Sequence, residues 1–304
     1  MSDELEIITG AVIVQMNLTN FGLSRKIDDA GQALANHYNA QESFRNTGCQ
    51  TTKSSKNIIP KNLYDPIASY QRETRKIHNE YTGGMRWTKN TDIMSTNIFS
   101  GGAKHMKPYN TMIAERRAAL DHMAYEFAHK TYPLAKTASQ NDLGNLFNPN
   151  DYPSNEEVYQ SISMTVTIDP IPKGTDFRCS LDPATQKDLV ETYDERLKVI
   201  QKQSVLKLID ALSNKLTHIT NSLKTDKVIH NSTLDELYKY ADSLPAIDFT
   251  NDSTLRDLAN RVVEEVTCDG LRDKEVLKNP DAKEVVEKSA TDIANNLDAY
   301  AETL

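Results

Sequence analysis

Between Asp182 and Leu223, apolar residues fall at Leu189, Tyr193, Leu197, Ile200, Val205, Leu208, Leu212, Leu216, Ile219 and Leu223. Spacings of three and four belong to one face of a helix, and no strand carries them. Asp182 followed by Pro183 supplies the start: a carboxylate at the N-cap accepts from free first-turn N–H groups, and proline there has no N–H to leave unpaired. Forty-two residues at 1.5 Å each make a rod of about 60 Å. Such a rod has to pack along partners for most of its length, which commits the C-terminal part to helix-on-helix packing. Ser232 with Asp235, Ser253, and Asn279 before Pro280 mark three more helix starts, separated by "LPAIDFTND" and "DGLRDKEVLKNP". Residues 182–304 therefore read as a helical bundle or hairpin, and 1–181 as a mixed N-terminal domain.

Strand signals occur in the first part only. "AVIVQMNLTNFGL" puts Val12, Val14, Met16 and Leu18 on one side of a period-two pattern that ends near Gly22. "SISMTVTIDPIP" alternates Ile162, Met164, Val166 and Ile168 with Ser163, Thr165 and Thr167, and "FRCSL" repeats the alternation after Pro170, Pro172 and Gly174. This predicts a long-looped hairpin over 162–181 that forms a small antiparallel sheet with the N-terminal strand. Ser154 with Glu157 is a capping-box signature for a short helix before it. Residues 41–61 are Ser-, Thr-, Asn- and Lys-rich with little to bury and read as a loop. After Pro60, Leu63, Ile67, Tyr70, Thr74, Ile77 and Tyr81 define a helix stopped by Gly83 and Gly84. An ordered loop around Trp87 follows, and from Pro108 Met112, Ala119, Leu120, Met123, Phe127 and Tyr132 define a second long helix ending at Pro133. The fold class is α+β, predominantly α.

At 304 residues the chain can bury a core without staples. Cys49, Cys179 and Cys268, odd in number and widely spaced, form neither a disulfide framework nor a CxxC pair, which suits a reducing compartment. "MSDELEIITG" carries acids where a signal peptide has cations, and no apolar run approaches the roughly 18 residues of a membrane helix. A cytoplasmic location and no membrane partner are expected. The net charge of −8 is uneven: residues 1–135 hold 16 Lys and Arg against 13 Asp and Glu, and the rest 19 against 30. An acidic tail half follows a mildly basic front half.

Enzyme signatures are lacking. "SGGAKHMKPY" has glycines and a lysine but no GK[ST] ending, and there is no GxSxG elbow. His122, Glu126 and His129 share a helix face at the spacing of a di-metal half-site, but no matching second pair exists, so neither a metal nor another cofactor is expected. The polar feature that stands out is "YQRETRKIHNEYTGGMRW". Arg72, Arg75, Lys76 and Asn79 turn away from the apolar face, Arg86, Trp87 and Lys89 sit on the loop, and Lys104, His105, Lys107 and Tyr109 lie at its far end. Arg116 and Arg117 stand on the next helix. Cations among exposed aromatics are what a single-strand site uses, because cations follow phosphates and flat rings stack on any base. A charged face is also what any amphipathic helix presents to water. Val205, Leu208, Leu212, Leu216, Ile219 and Leu223 form a heptad-like stripe that fits either a dimer seam or an intrachain core.

The segments "VIVQMNLTNFGLSRK", "YDPIASYQRETRKIHNEYTGGMRW", "PYNTMIAERRAALDHMAYEFAHKTYP" and above all "DYPSNEEVYQSISMTVTIDPIPKGTDFR" before a long acidic helix resemble an uncharacterised family. Its members are mainly helical proteins encoded by tailed phages and mobile elements. The resemblance implies a non-enzymatic phage protein of DNA replication or recombination, found beside partners such as an AAA+ ATPase. It carries no assigned site residue. The expected function is an accessory role in which single-stranded DNA or a DNA-processing protein is held in the host cytoplasm. Two alternatives differ in class: a virion structural or assembly protein that self-associates through the long helix, and a host-directed inhibitor with an acidic, DNA-like helical surface.

Overall fold

The computed structural model describes residues 10–26, 55–101, 103–172, 182–225, 229–268 and 276–304. In chain order its elements are β1 (Ala11–Leu18), β2 (Ser24–Lys26), β3 (Ser55–Asn57), α1 (Asp65–Thr82), β4 (Asp92–Ser95), α2 (Tyr109–Glu126), α3 (Tyr132–Leu143), α4 (Asn155–Ser161), β5 (Met164–Pro170), α5 (Pro183–Lys224), α6 (Asn231–Ile247), α7 (Ser253–Arg261) and α8 (Pro280–Thr303). The class is α+β with helix predominant. No described helix is long and apolar enough to cross a membrane. Contacts divide the chain into two units: Met1–Met16, Ile77–Ile113 and Val166–Leu304 make one, Asn17–Lys76 and Ala114–Thr165 the other. The units interleave along the sequence, whereas the sequence pattern places a single boundary at 181.

In the first unit Asp182 caps α5, its carboxylate accepting from the N–H groups of Ala184 and Thr185. The helix has the expected 42 residues and packs along α8 and α6. The stripe from Val205 to Leu223 is the core of this packing: Val205, Leu208, Leu212, Leu216, Ile219 and Leu223 are all buried, Leu212 and Leu216 completely. That corrects the dimer-seam reading of these six residues, because their surface is already spent inside the chain. Asn279 caps α8 as expected. The other two starts shift by a residue or two: Asp252, not Ser253, caps α7, and His230 precedes α6 without a side-chain cap.

A three-stranded sheet in the order β4–β1–β5 accompanies the helices. β1 and β4 are antiparallel, Val12 opposite Met94 and Val14 opposite Asp92. β4 was not legible as a strand: "DIMS" has no polar–apolar alternation because all four residues are buried. For the same reason β1 does not follow its two-sided pattern, since Ile13 is buried beside Val14 while Val12, Met16 and Leu18 are half-buried. β5 neighbours β1, whereas its expected hairpin partner over 177–181 lies outside the described residues.

In the second unit β2 and β3 pair antiparallel, Arg25 opposite Lys56. The chain then drops Ile58 and Ile59 fully into the core, so the end of the expected 41–61 loop is strand and core; residues before 55 lie outside the described set. Phe21, Tyr64, Phe127 and Tyr132 form an aromatic cluster with edge-on contacts, Phe21 to Tyr132 at 5.5 Å and Tyr64 to Phe127 at 5.3 Å. Pro133 does not end the second long helix. A π turn over Phe127–Thr131 carries α2 into α3, and Pro133 occupies the first turn of α3. Ala119 faces solvent, while Leu120, Ala124 and Phe127 are buried. The Ser154–Glu157 capping box is fully formed at α4.

Candidate nucleic-acid interface

α1 owes its orientation to a clean division of side chains: Ile67, Gln71, Thr74, His78 and Tyr81 are buried, while Arg72, Arg75 and Lys76 are exposed. In the second unit an open cleft of about 300 Å³ is lined by Leu18, Asn20, Tyr64, Ala68, Gln71, Arg72 and Arg75. Its lining includes no carboxylate. Hydrogen bonds fix the neutral groups: Gln71 Nε2 donates to the Thr19 carbonyl at 2.9 Å, and the Tyr64 hydroxyl donates to Asn20 Oδ1 at 3.3 Å and accepts from Phe21 N–H at 3.2 Å. Burial raises the Tyr64 hydroxyl above its ordinary pKa. Asn20, Tyr64 and Gln71 were not legible as site residues, because they gather only when the turn after β1 meets α1.

The charge balance of this face depends on one ion pair. Glu73 lies between Arg72 and Arg75 in sequence, but Arg116 on α2 holds its carboxylate with both terminal nitrogens, at 3.1 and 3.3 Å. The Arg116 guanidinium also lies over the Tyr70 ring, 4.6 Å from its centroid. Arg116 therefore departs from its expected role as a phosphate contact and instead neutralises Glu73. Its hydrogen bonds hold the Glu73 carboxyl below the usual glutamate range. Arg72 and Arg75 make no ion pair with any described residue, and Arg117 is exposed on α2.

The remaining expected contacts belong to the first unit. Trp87 closes a tight turn, its N–H donating to the Thr91 carbonyl at 2.9 Å. The ring is half-buried, with the Arg196 guanidinium 4.7 Å from its centroid and Tyr193 edge-on at 6.1 Å. Arg196 also donates to the Trp87 carbonyl at 3.0 Å. Trp87 is thus an anchor onto α5, in place of the freely exposed stacking ring that the sequence suggests. Arg86 lies 3.1 Å from Asp92 Oδ1, without the alignment of a hydrogen bond. Asp92 Oδ2 is 3.1 Å from His78 Nε2, and His78 Nδ1 is 2.8 Å from the Tyr109 hydroxyl. With Asp92 ionised and His78 neutral, Nε2 is the donor to Asp92 and Nδ1 accepts from the Tyr109 hydroxyl. Burial, reinforced by the Asp92 charge, drives the Tyr109 hydroxyl well above its ordinary pKa. This buried relay ties α1, β4 and the start of α2 together. Lys89, Lys104 and Lys107 are exposed; the Lys104 N–H donates to Asp242 and the Lys107 carbonyl accepts from Tyr81.

An aromatic ledge in the second unit escaped the sequence reading. Tyr125, 49% exposed, stacks on His129 at 4.3 Å, and Tyr159 stands edge-on to both. Its signal is hidden because the π turn shifts the helical phase and Tyr159 arrives from α4. Tyr159 donates to Asp121, and Glu126 pairs with Lys130 at 2.7 Å, so the charged groups at the ledge are a carboxylate and a lysine already paired with a second one. Among the described residues no three His, Cys, Asp or Glu side chains gather as a metal site.

No protein-family model, curated protein or solved structure matches the chain.

Proposed function

We propose that the protein is a non-enzymatic accessory factor of phage DNA metabolism that acts in the host cytoplasm and contacts single-stranded DNA through the exposed face of α1. One observation carries the reading: Arg72 and Arg75 rim a cleft without carboxylates, and the only acid between them in sequence, Glu73, is neutralised by Arg116. Two guanidinium groups one helical turn apart, with no ion pair among the described residues, are suited to phosphate oxygens. Lys76 and Arg117 extend the cationic surface of the same unit. A DNA-processing protein such as an AAA+ ATPase is the partner this role calls for.

Fluorescence anisotropy of a labelled single-stranded oligonucleotide across a salt series tests it. Each phosphate neutralised on a single strand contributes about 0.7 to the slope of log K against log salt, so Arg72→Ala/Arg75→Ala should lower that slope by about 1.4. Absence of binding at low salt, or a variant with an unchanged slope, overturns the proposal.

A second reading, an assembly protein of the virion, draws on α5. None of its residues from Pro183 to Gln203 is buried, although Leu189, Tyr193, Leu197, Val199 and Ile200 are apolar or aromatic. On that reading light scattering finds a discrete multimer that survives high salt, whereas the DNA-contact reading needs none.

A further inference from the structure

We infer that the α1 cleft takes a single nucleotide at the end of a strand, holding its phosphate at the rim and its base on the floor. This rests on the DNA reading above and sharpens it, since phosphate contacts along an uninterrupted strand would need no cleft. A volume of about 300 Å³ lies at the small end of the range for small-molecule sites, which suits one nucleotide and no more.

The floor is built for recognition. Gln71 is 5% exposed, and its amide nitrogen is committed to the Thr19 carbonyl. That bond fixes the orientation of the amide, because a carbonyl partner requires the nitrogen, and it leaves Gln71 Oε1 without a partner among the described residues. That oxygen remains accessible from the cleft, where it can accept from a donor that enters. Asn20 is oriented in the same way: its Oδ1 accepts from Tyr64, which leaves its amide nitrogen as a donor. A neutral acceptor from Gln71 and a neutral donor from Asn20 lining one cleft suit the edge of a nucleobase, and Leu18 and Ala68 supply apolar wall for its faces. Arg72 and Arg75 at the rim supply charge for a terminal phosphate, whose extra negative charge distinguishes an end from an internal phosphodiester.

The test compares circular single-stranded DNA with linear strands bearing hydroxyl or phosphate ends, all with an internal fluorophore, and adds each of the four deoxynucleoside monophosphates or inorganic phosphate as competitor. Phosphate-ended strands should bind at least about tenfold more tightly than circular DNA, as one charged hydrogen-bonded group at a cleft would give. Mononucleotides should compete and inorganic phosphate should compete less. Gln71→Met, checked for native circular dichroism, should lose the mononucleotide competition while keeping the salt slope. Equal affinity for circular and phosphate-ended strands overturns the inference, and so does mononucleotide competition unchanged in Gln71→Met; salt-sensitive binding in either case leaves the DNA reading standing. Silence toward every DNA overturns the DNA reading itself.

Discussion

Gly83 and Gly84 end α1 with positive φ angles of 58° and 67°, and the two positions separate backbone strain from packing. A left-handed conformation costs an alanine about 1–2 kcal/mol, while the loss of glycine's unfolded freedom returns about 0.4–1 kcal/mol. Gly84→Ala should therefore destabilise by about 1 kcal/mol, since the new methyl meets only the end of the flexible Lys207 side chain, 3.2 Å from Nζ. Gly83 carries the same backbone cost and also faces the core. Its added Cβ would lie 2.9 Å from Ile247 Cγ2 and 3.3 Å from Leu208 Cδ2, both on buried residues. Overpacking of this kind adds about 1–3 kcal/mol, for a total of about 2–4 kcal/mol in Gly83→Ala. Urea unfolding followed by far-UV circular dichroism measures both variants against wild type. Equal losses in the two, or a Gly83→Ala loss within about 0.5 kcal/mol of zero, would refute the claim that α5 and α6 pack directly against the end of α1.

Leu212→Ala, at a position with no exposed surface, should cost about 2–5 kcal/mol in the same unfolding assay and leave the molecular mass by light scattering unchanged. Removal of Arg196 by alanine should uncover Trp87, the sole tryptophan, giving a red-shifted emission and stronger acrylamide quenching. The Glu73 carboxyl is depressed in the folded protein by Arg116, so its contribution is fully present above the ordinary glutamate pKa near 4.5 and is lost as pH falls through the lower folded value. Carboxyl-carbon NMR titration should find Glu73 below that reference in the wild type and returned toward it in Arg116→Ala.

The helices were legible because they advertise themselves locally. Asp182 with Pro183, Ser154 with Glu157, and the three-and-four spacing of the α5 stripe each report a physical requirement satisfied within a few residues of chain. β4 was hidden because burial on both faces removes alternation, and Ile58 and Ile59 because two isolated apolar residues have no period. The candidate site was half legible. Exposed Arg72 and Arg75 follow from helical geometry, yet the neutral lining formed by Asn20 and Gln71 needs a contact across about fifty residues. The same limit explains the misreading of Arg116 and Trp87, whose type announces a cation and a ring but not the Glu73 and Arg196 that engage them.

The π turn at Phe127–Thr131 has the register of an α-helix with one residue inserted. Deleting a single residue there would restore a regular hydrogen-bond ladder and leave the downstream faces nearly where they are, because the wide turn already absorbs the extra residue. Tyr132, Ala135 and Ser139 would stay in the core, whereas the same deletion in the regular part of α2 would rotate everything downstream by about 100° and carry them out of it. An extra residue in this helix is thus confined to one turn, where a lineage can gain or shed it without changing either face of α3.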